Sequence, residues 1–315
     1  MSFAAAVLVH LGCPRKMERG ECEIFLREFL GDEYVLGLPF FLRKFLAWRI
    51  AKKRAGHFSE MLKSCAVNTE AFGLLPASLF HVKNLAEKLS AHLGMGVFEA
   101  GVYGGENLAS LRRKMGAQNL LTGKILFIPC YPQAASSTVF PAVREIERNF
   151  KGVDFKIAEC YAGMPEYARA IANSVLEKNE KFDAVITSFH SVPKPQLKIF
   201  DYESECKKSH FEIRKKLENF RVELAYQSAM KFGKWIGPDV FGVARKLAEE
   251  GAKSIAVVCP GFFCDCIETL VEINGSLRSE FLKSGGEKFS YINCLNSSSR
   301  QLRLFAEIIK RESFL

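Results

Sequence analysis

Apolar residues in this chain gather in short β-branched runs, separated by longer stretches where they recur every three or four positions. Eight runs read as strands: 5–11, 96–102, 124–130 and 154–160 in the first half, then 184–189, 221–226, 254–259 and 288–294 in the second. Helical spacing fills most of the intervals, as in 84–92, 141–150, 165–178, 205–217 and 240–250. Strands that alternate with helices predict parallel sheets covered on both faces. The expected fold is α/β: two Rossmann-like domains, each a four-stranded parallel sheet flanked by helices, with the active-site cleft between them. Residues 1–164 and 165–315 are expected to form the two domains, a last helix near 298–315 packing on the first. The halves repeat a pattern but share no visible sequence identity.

Unusual residues collect where these strands end, as in Leu11-Gly12-Cys13-Pro14, Tyr131-Pro132-Gln133, His190-Ser191-Val192-Pro193 and Pro260-Gly261-Phe262. Open α/β sheets bind ligands outside the carboxyl ends of their strands, so chemistry is expected there. Two stretches break the rhythm. In 37–56, Phe41, Phe45, Trp48 and Lys52 are helically spaced among Arg43, Lys44, Arg49, Lys53 and Arg54. That composition suits a helix lying against anionic headgroups, and equally a helix packed on the domain with a solvated basic face. Residues 65–79 show no period and read as an irregular lid or rim. The apolar start of the chain lacks a basic leader region and is interrupted by His10, so it reads as a first strand. No run approaches the ~20 apolar residues of a membrane span.

Composition changes this picture only modestly. A net charge of +9 makes the surface basic, but no Lys/Arg block interleaved with aromatics marks a nucleic-acid partner. None of the 10 cysteines forms a C-x-x-C pair, and Cys264-x-Cys266 alone is a weak metal signal. Free thiols suit a reduced, cytoplasmic compartment. No G-x-G-x-x-G follows a strand, which argues against a nicotinamide enzyme.

The candidate chemistry lies in the second half. If 265 onward is helical, Asp265, Glu268 and Glu272 fall at i, i+3 and i+7 and share one face, close behind the strand 254–259. Runs of acids are usually a solvated helix face, but this one follows a strand end. His190 also stands at a strand end before a turn, and an imidazole titrating near neutrality suits proton transfer.

Ser188-Phe189-His190-Ser191-Val192-Pro193 and Pro260-Gly261-Phe262-x-x-Asp265-x-x-Glu268-Thr269-Leu270-x-Glu272-Ile273 together resemble the ferrochelatase family. That family carries a Ser-Phe-His-Gly-Ile-Pro segment followed by Pro-Gly-Phe-x-x-Asp-x-x-Glu-Thr-x-x-Glu-Ile. Leu8-Val9-His10-Leu11-Gly12, Leu26-Arg27-Glu28-Phe29-Leu30, Tyr131-Pro132-Gln133, Gln227-Ser228, Trp235 with Pro238, and Cys294-Leu295-Asn296 match further family segments in order. The resemblance implies insertion of Fe²⁺ into protoporphyrin IX to give protohaem, with two protons released. His190 would be the proton acceptor, Glu268 and Glu272 an acid relay, and His190 with Glu268 transient contacts of the iron. Porphyrin contacts are implied at Tyr103, Tyr131, Gln133, Ser188, Trp235 and Phe262. Iron is then a substrate, and no tightly bound cofactor is expected. An iron–sulfur cluster is not expected either, since no Cys follows Cys294 and Ser136 stands where cluster-bearing members place a further ligand. Expected partners are porphyrin, ferrous iron, an anionic membrane surface and neighbouring enzymes of the haem pathway. The expected location is the cytoplasm, peripheral on the inner face of the membrane.

The sequence also departs from the family. Val102 and Ala229 replace usual basic residues, which would change how the acidic substituents of the substrate are held. A coproporphyrin ferrochelatase, a cobalt or nickel tetrapyrrole chelatase, and a weakened porphyrin or haem carrier stay open as alternatives.

Overall fold

All eight central strand positions are strands in the computed structural model, which describes residues 3–230 and 233–314. The first sheet contains β1 (Ala5–Cys13), β4 (Gly96–Gly104), β5 (Ile125–Pro129) and β6 (Phe155–Ile157), all parallel, in the order β4-β1-β5-β6. The second contains β7 (Ala184–His190), β8 (Val222–Gln227), β9 (Ser254–Val258) and β10 (Lys288–Tyr291), again parallel, in the order β10-β9-β7-β8. Counted within each sheet, both follow the order 2-1-3-4. The repeat of pattern is therefore a repeat of topology, and each sheet reverses direction between its first and third strands.

The chain divides into two units. One holds the residues up to Cys130, Ser136–Glu159 and the stretch from Leu302 onward; the other holds Tyr131–Ala135 and Cys160–Gln301.

In the first unit β1 is one of two inner strands, and Ala6, Val7, Leu8 and Val9 are fully buried, as a strand covered on both faces requires. Near its end β1 approaches β4 too closely for side chains. A Cβ on Gly12, whose φ is +107°, would lie 1.9 Å from the Tyr103 carbonyl oxygen, and a Cβ on Gly101 would lie 2.7 Å from the Gly12 Cα. Residues 65–79 are not irregular. They form an antiparallel hairpin, β2 (Ala66–Thr69) with β3 (Gly73–Pro76), whose turn is closed by Phe72 N–H donating to Thr69 Oγ1 at 3.2 Å. The strands are short and largely unburied, so they leave no alternation long enough to read.

The basic aromatic segment begins a helix of 25 residues, Phe40–Ser64. Ala47, Ala51, Ala55, Ser59 and Leu62 form its buried stripe, which packs on helix Arg19–Leu30, with Phe58 stacked on Phe25 at 5.9 Å. Ahead of that stripe the aromatics are outside: Phe40 is 56% exposed, Phe41 86%, Phe45 51% and Trp48 44%. The packed-helix reading thus holds for the second half of the helix, and the first half leaves its aromatics exposed. No helix among the described residues is long and apolar enough to cross a membrane.

A polar network braces this unit. Gly12 N–H donates to His10 Nδ1 at 3.2 Å, so in the neutral ring the proton sits on Nε2, which donates to Glu99 at 2.8 Å. Lys83 Nζ meets Glu99 at 3.0 Å and Glu106 at 2.8 Å. Burial alone would raise the Glu99 pKa, but His10 and Lys83 outweigh it and hold it down to about 2, against 4.5 for an ordinary glutamate. Glu99 accordingly contributes stability that is fully present above pH ~4.5 and is lost as pH falls towards its folded value. We expect wild type to lose on the order of 1 kcal/mol more than Glu99→Gln between pH 6 and pH 3.5, measured by urea unfolding. Parallel pH slopes for the two proteins would overturn this account.

Candidate active site

In the second sheet the reversal falls between β7 and β9, where a doubly wound sheet opens a crevice at its strand ends. The residues leaving those two strands are His190 and Cys259-Pro260-Gly261-Phe262. His190 is half-buried, and its ring centroid lies 6.3 Å from that of Phe262. Its Nδ1 is 2.6 Å from the Ser191 carbonyl oxygen. A carbonyl can only accept, so Nδ1 carries a proton and, in the neutral ring, Nε2 presents a lone pair. The backbone around the ring is pinned as well. Tyr202 O–H donates to the His190 carbonyl at 3.0 Å, Ser191 N–H to the Gln227 carbonyl at 2.8 Å, and Ser191 Oγ to the Ile236 carbonyl at 2.8 Å.

Other expected contacts separate by burial. Tyr131, Trp235 and Phe262 are half-buried and keep accessible surface, and Trp235 bridges to Pro193 just beyond the histidine. Gln133 and Ser188 do not. Gln133 is 3% exposed, and its amide nitrogen donates to Ser209 Oγ at 3.1 Å and to the Pro260 carbonyl at 3.2 Å. That carbonyl also accepts from Tyr167 O–H at 2.7 Å, so the turn after β9 is held from two sides. Ser188 is fully buried and donates to Gln227 Oε1 at 2.8 Å. Both residues support the site from within instead of lining it. Tyr103 lies in the other unit, on β4, buried edge-on against Phe29 at 5.7 Å.

The three acids do not share a helix face. Glu268–Leu277 is a π-helix, and Asp265 precedes it in the turn, 2% exposed. Its carboxylate accepts from Tyr291 O–H, from Asn293 Nδ2 at 2.8 Å, from Cys294 N–H at 3.1 Å and from Asn296 Nδ2 at 2.7 Å. Its own N–H donates to Asn296 Oδ1 at 2.8 Å. Asp265 therefore ties the exit of β9 to the exit of β10, and takes residues 293 and 294 out of the strand that their apolar run predicts. Glu268 and Glu272 stay on successive wide turns of the π-helix. Gln227 Nε2 donates to the Glu268 carbonyl at 2.8 Å, while the Glu272 carboxylate accepts from Ser228 N–H at 2.8 Å and Ser228 Oγ at 2.5 Å. Since Gln227 pairs in register with His190, histidine, amide and acid helix form one hydrogen-bonded neighbourhood. None of these links has a sequence signal beyond the Gln-Ser pair itself.

Nearby thiols are held protonated. Burial raises the Cys266 pKa, and the adjacent Glu268 charge raises it further; burial and the charges of Asp265 and Glu272 do the same to Cys259. In the metal-free site these buried thiols are therefore inert neighbours of the acids. Among the described residues, no group of three or more His, Cys, Asp or Glu side chains stands ready to hold a metal ion.

Elsewhere, a cavity of about 340 Å³ in the first unit is lined in part by Lys83, Glu99 and Glu106, charges that already compensate one another.

Residues 4–313 match the ferrochelatase family model. A ferrochelatase from Herminiimonas arsenicoxydans is 31% identical over 96% of this chain and 85% of that protein. One from Alcanivorax borkumensis is 31% identical over 96% of this chain and 92% of its own length. Among solved structures, SirB from Bacillus subtilis with Fe³⁺ superposes with a TM-score of 0.59 at 10% identity, covering 98% of this chain and 94% of that one. The last likeness is one of fold.

Replacing Asp265 by Ala would strand several buried donors at once. We expect a loss of about 3 kcal/mol in urea unfolding, since buried groups left unpaired cost far more than a surface hydrogen bond. A loss below about 1 kcal/mol would show that Asp265 does not carry this junction.

Proposed function

The chain belongs to the ferrochelatase family, enzymes that insert metal into porphyrin, and on that premise we propose that it inserts Fe²⁺ into protoporphyrin IX to give protohaem. His190 takes the porphyrin N–H protons, Glu268 and Glu272 relay them, and His190 with Glu268 contacts the iron in passing. The observation that carries this reading is the His190 ring, whose Nδ1 is committed to the Ser191 carbonyl at 2.6 Å and whose Nε2 is left as a base. One imidazole cannot hold two protons from the porphyrin, so the first must move on before the second arrives. The Glu272 carboxylate, fastened to Ser228 just past the strand next to His190, and the Glu268 backbone, held by Gln227 at the end of that strand, suit that task. Tyr131, Trp235 and Phe262 supply flat apolar surface suited to a macrocycle. The reading includes no iron–sulfur cluster.

We further propose that the first turns of helix Phe40–Ser64 touch an anionic membrane surface from the cytoplasmic side. What supports this is the exposed row of Phe40, Phe41, Phe45 and Trp48, each of the last two topped by a cation: Arg49 lies 5.7 Å from the Phe45 ring and Lys52 5.5 Å from that of Trp48.

His190→Ala should lower Fe²⁺ insertion at least ~100-fold while porphyrin still quenches protein fluorescence, read with protoporphyrin and coproporphyrin side by side. Full activity of that variant would remove the histidine from the chemistry, and faster turnover of coproporphyrin would replace the substrate. On the membrane side, the protein should float with anionic vesicles, and Phe41→Ser should float several-fold less. Equal binding to neutral vesicles, or no binding, would leave the segment as a packed helix with a solvated face.

A further inference from the structure

Ser228 has a φ of +65°, a left-handed conformation that costs any residue with a Cβ. The other non-glycine residues with positive φ among those described are Asn119, Asn179 and Asn296, and asparagine tolerates this region. Ser228 is the one without that excuse. Glycine or asparagine would sit there with less strain, so the serine has to be explained by its side chain or by what its backbone reaches.

Both reach the same group. Ser228 N–H donates to Glu272 Oε1 at 2.8 Å and Ser228 Oγ donates to Glu272 Oε2 at 2.5 Å. Each carboxylate oxygen has its own donor, which fixes the plane of the carboxylate as well as its position. The residue before it, Gln227, holds the Glu268 backbone one turn earlier, at 2.8 Å. The end of β8 thus grips the π-helix at two points, and Ser228 offers both its N–H and its hydroxyl to Glu272 from a left-handed backbone.

We propose that Ser228 is a positioning residue for proton transfer, holding the Glu272 carboxylate in the one orientation that continues the relay from Glu268. This rests on Glu272 acting as a relay, as argued above. The hydroxyl and the left-handed backbone make separable contributions. Ser228→Gly keeps the N–H and relaxes the backbone but loses the hydroxyl, whereas Ser228→Ala loses the hydroxyl and keeps the strain.

With the intact chain and Fe²⁺ insertion as the assay, Ser228→Gly should lower kcat about tenfold and leave the porphyrin KM within twofold, the loss expected for one hydrogen bond to a charged group. Ser228→Ala should be lower again. In a Glu272→Gln background, Ser228→Gly should change kcat by less than about twofold, because the two residues act as one device. An active wild type whose Ser228→Gly variant keeps full kcat, or whose double variant shows fully additive losses, would overturn the positioning role alone. A wild type that inserts no metal would overturn the relay reading and the proposal with it. A merely structural role would also lower the unfolding midpoint of Ser228→Gly with kcat per folded molecule unchanged, and that result too would count against the proposal.

Discussion

One buried amide sets the geometry on which the candidate site depends. Gln227 accepts from Ser188 on β7 and donates to the carbonyl of Glu268 at the start of the π-helix, both at 2.8 Å. A fully buried side chain with partners at both ends cannot swing without leaving polar atoms unpaired in a low-dielectric interior, so it behaves as a strut of fixed length. One end of the strut is the strand that carries His190, and the other is the helix that carries the acids. Pro260, gripped by Gln133 and Tyr167, and Asp265, gripped by five donors, close the remaining side. Such polar networks are costly if half made, and here the groups that hold the turn after β9 come from several separate stretches of chain.

This explains what could be read from the sequence. The eight strands were legible because a run such as Ala6-Val7-Leu8-Val9 can hardly be anything else when both faces are covered. His190 was legible because it ends such a run. The shared strand order was not, since pairing between distant strands leaves no local mark. The π-helix was invisible for a related reason: an acid at every third or fourth position fits either helix, and the wider turn is decided by what the helix packs on. Gln133 and Ser188 misled in the opposite sense. A polar residue at a strand end looks the same whether it faces a ligand or braces the backbone behind one, and only their burial separates the two.

The helix Phe40–Ser64 shows the same limit from the outside. Its small residues, Ala47, Ala51 and Ala55, allow close packing on a neighbouring helix, yet the aromatics ahead of them stay in solvent. Composition could not divide the segment, because the same basic residues serve a solvated face and a headgroup surface equally well.

The chemistry of the donors follows from what an insertion enzyme must do with its metal. A site that binds iron tightly retains it, and thiolates would do so, since sulfur is the strongest of the available ligands for soft or borderline cations. Cys259 lies against Gln227, Cys294 against Asp265, and Cys266 stands two residues before Glu268. Burial and the neighbouring carboxylates oppose a thiolate site, because each holds those thiols in the protonated form. The carboxylates assigned to the relay above thus also raise the pKa of the thiols near them. Under the proposed reading, oxygen and imidazole, which release a divalent ion more readily, handle the metal. On this view the cysteines stay neutral chiefly because they are buried, and the nearby carboxylates add to that.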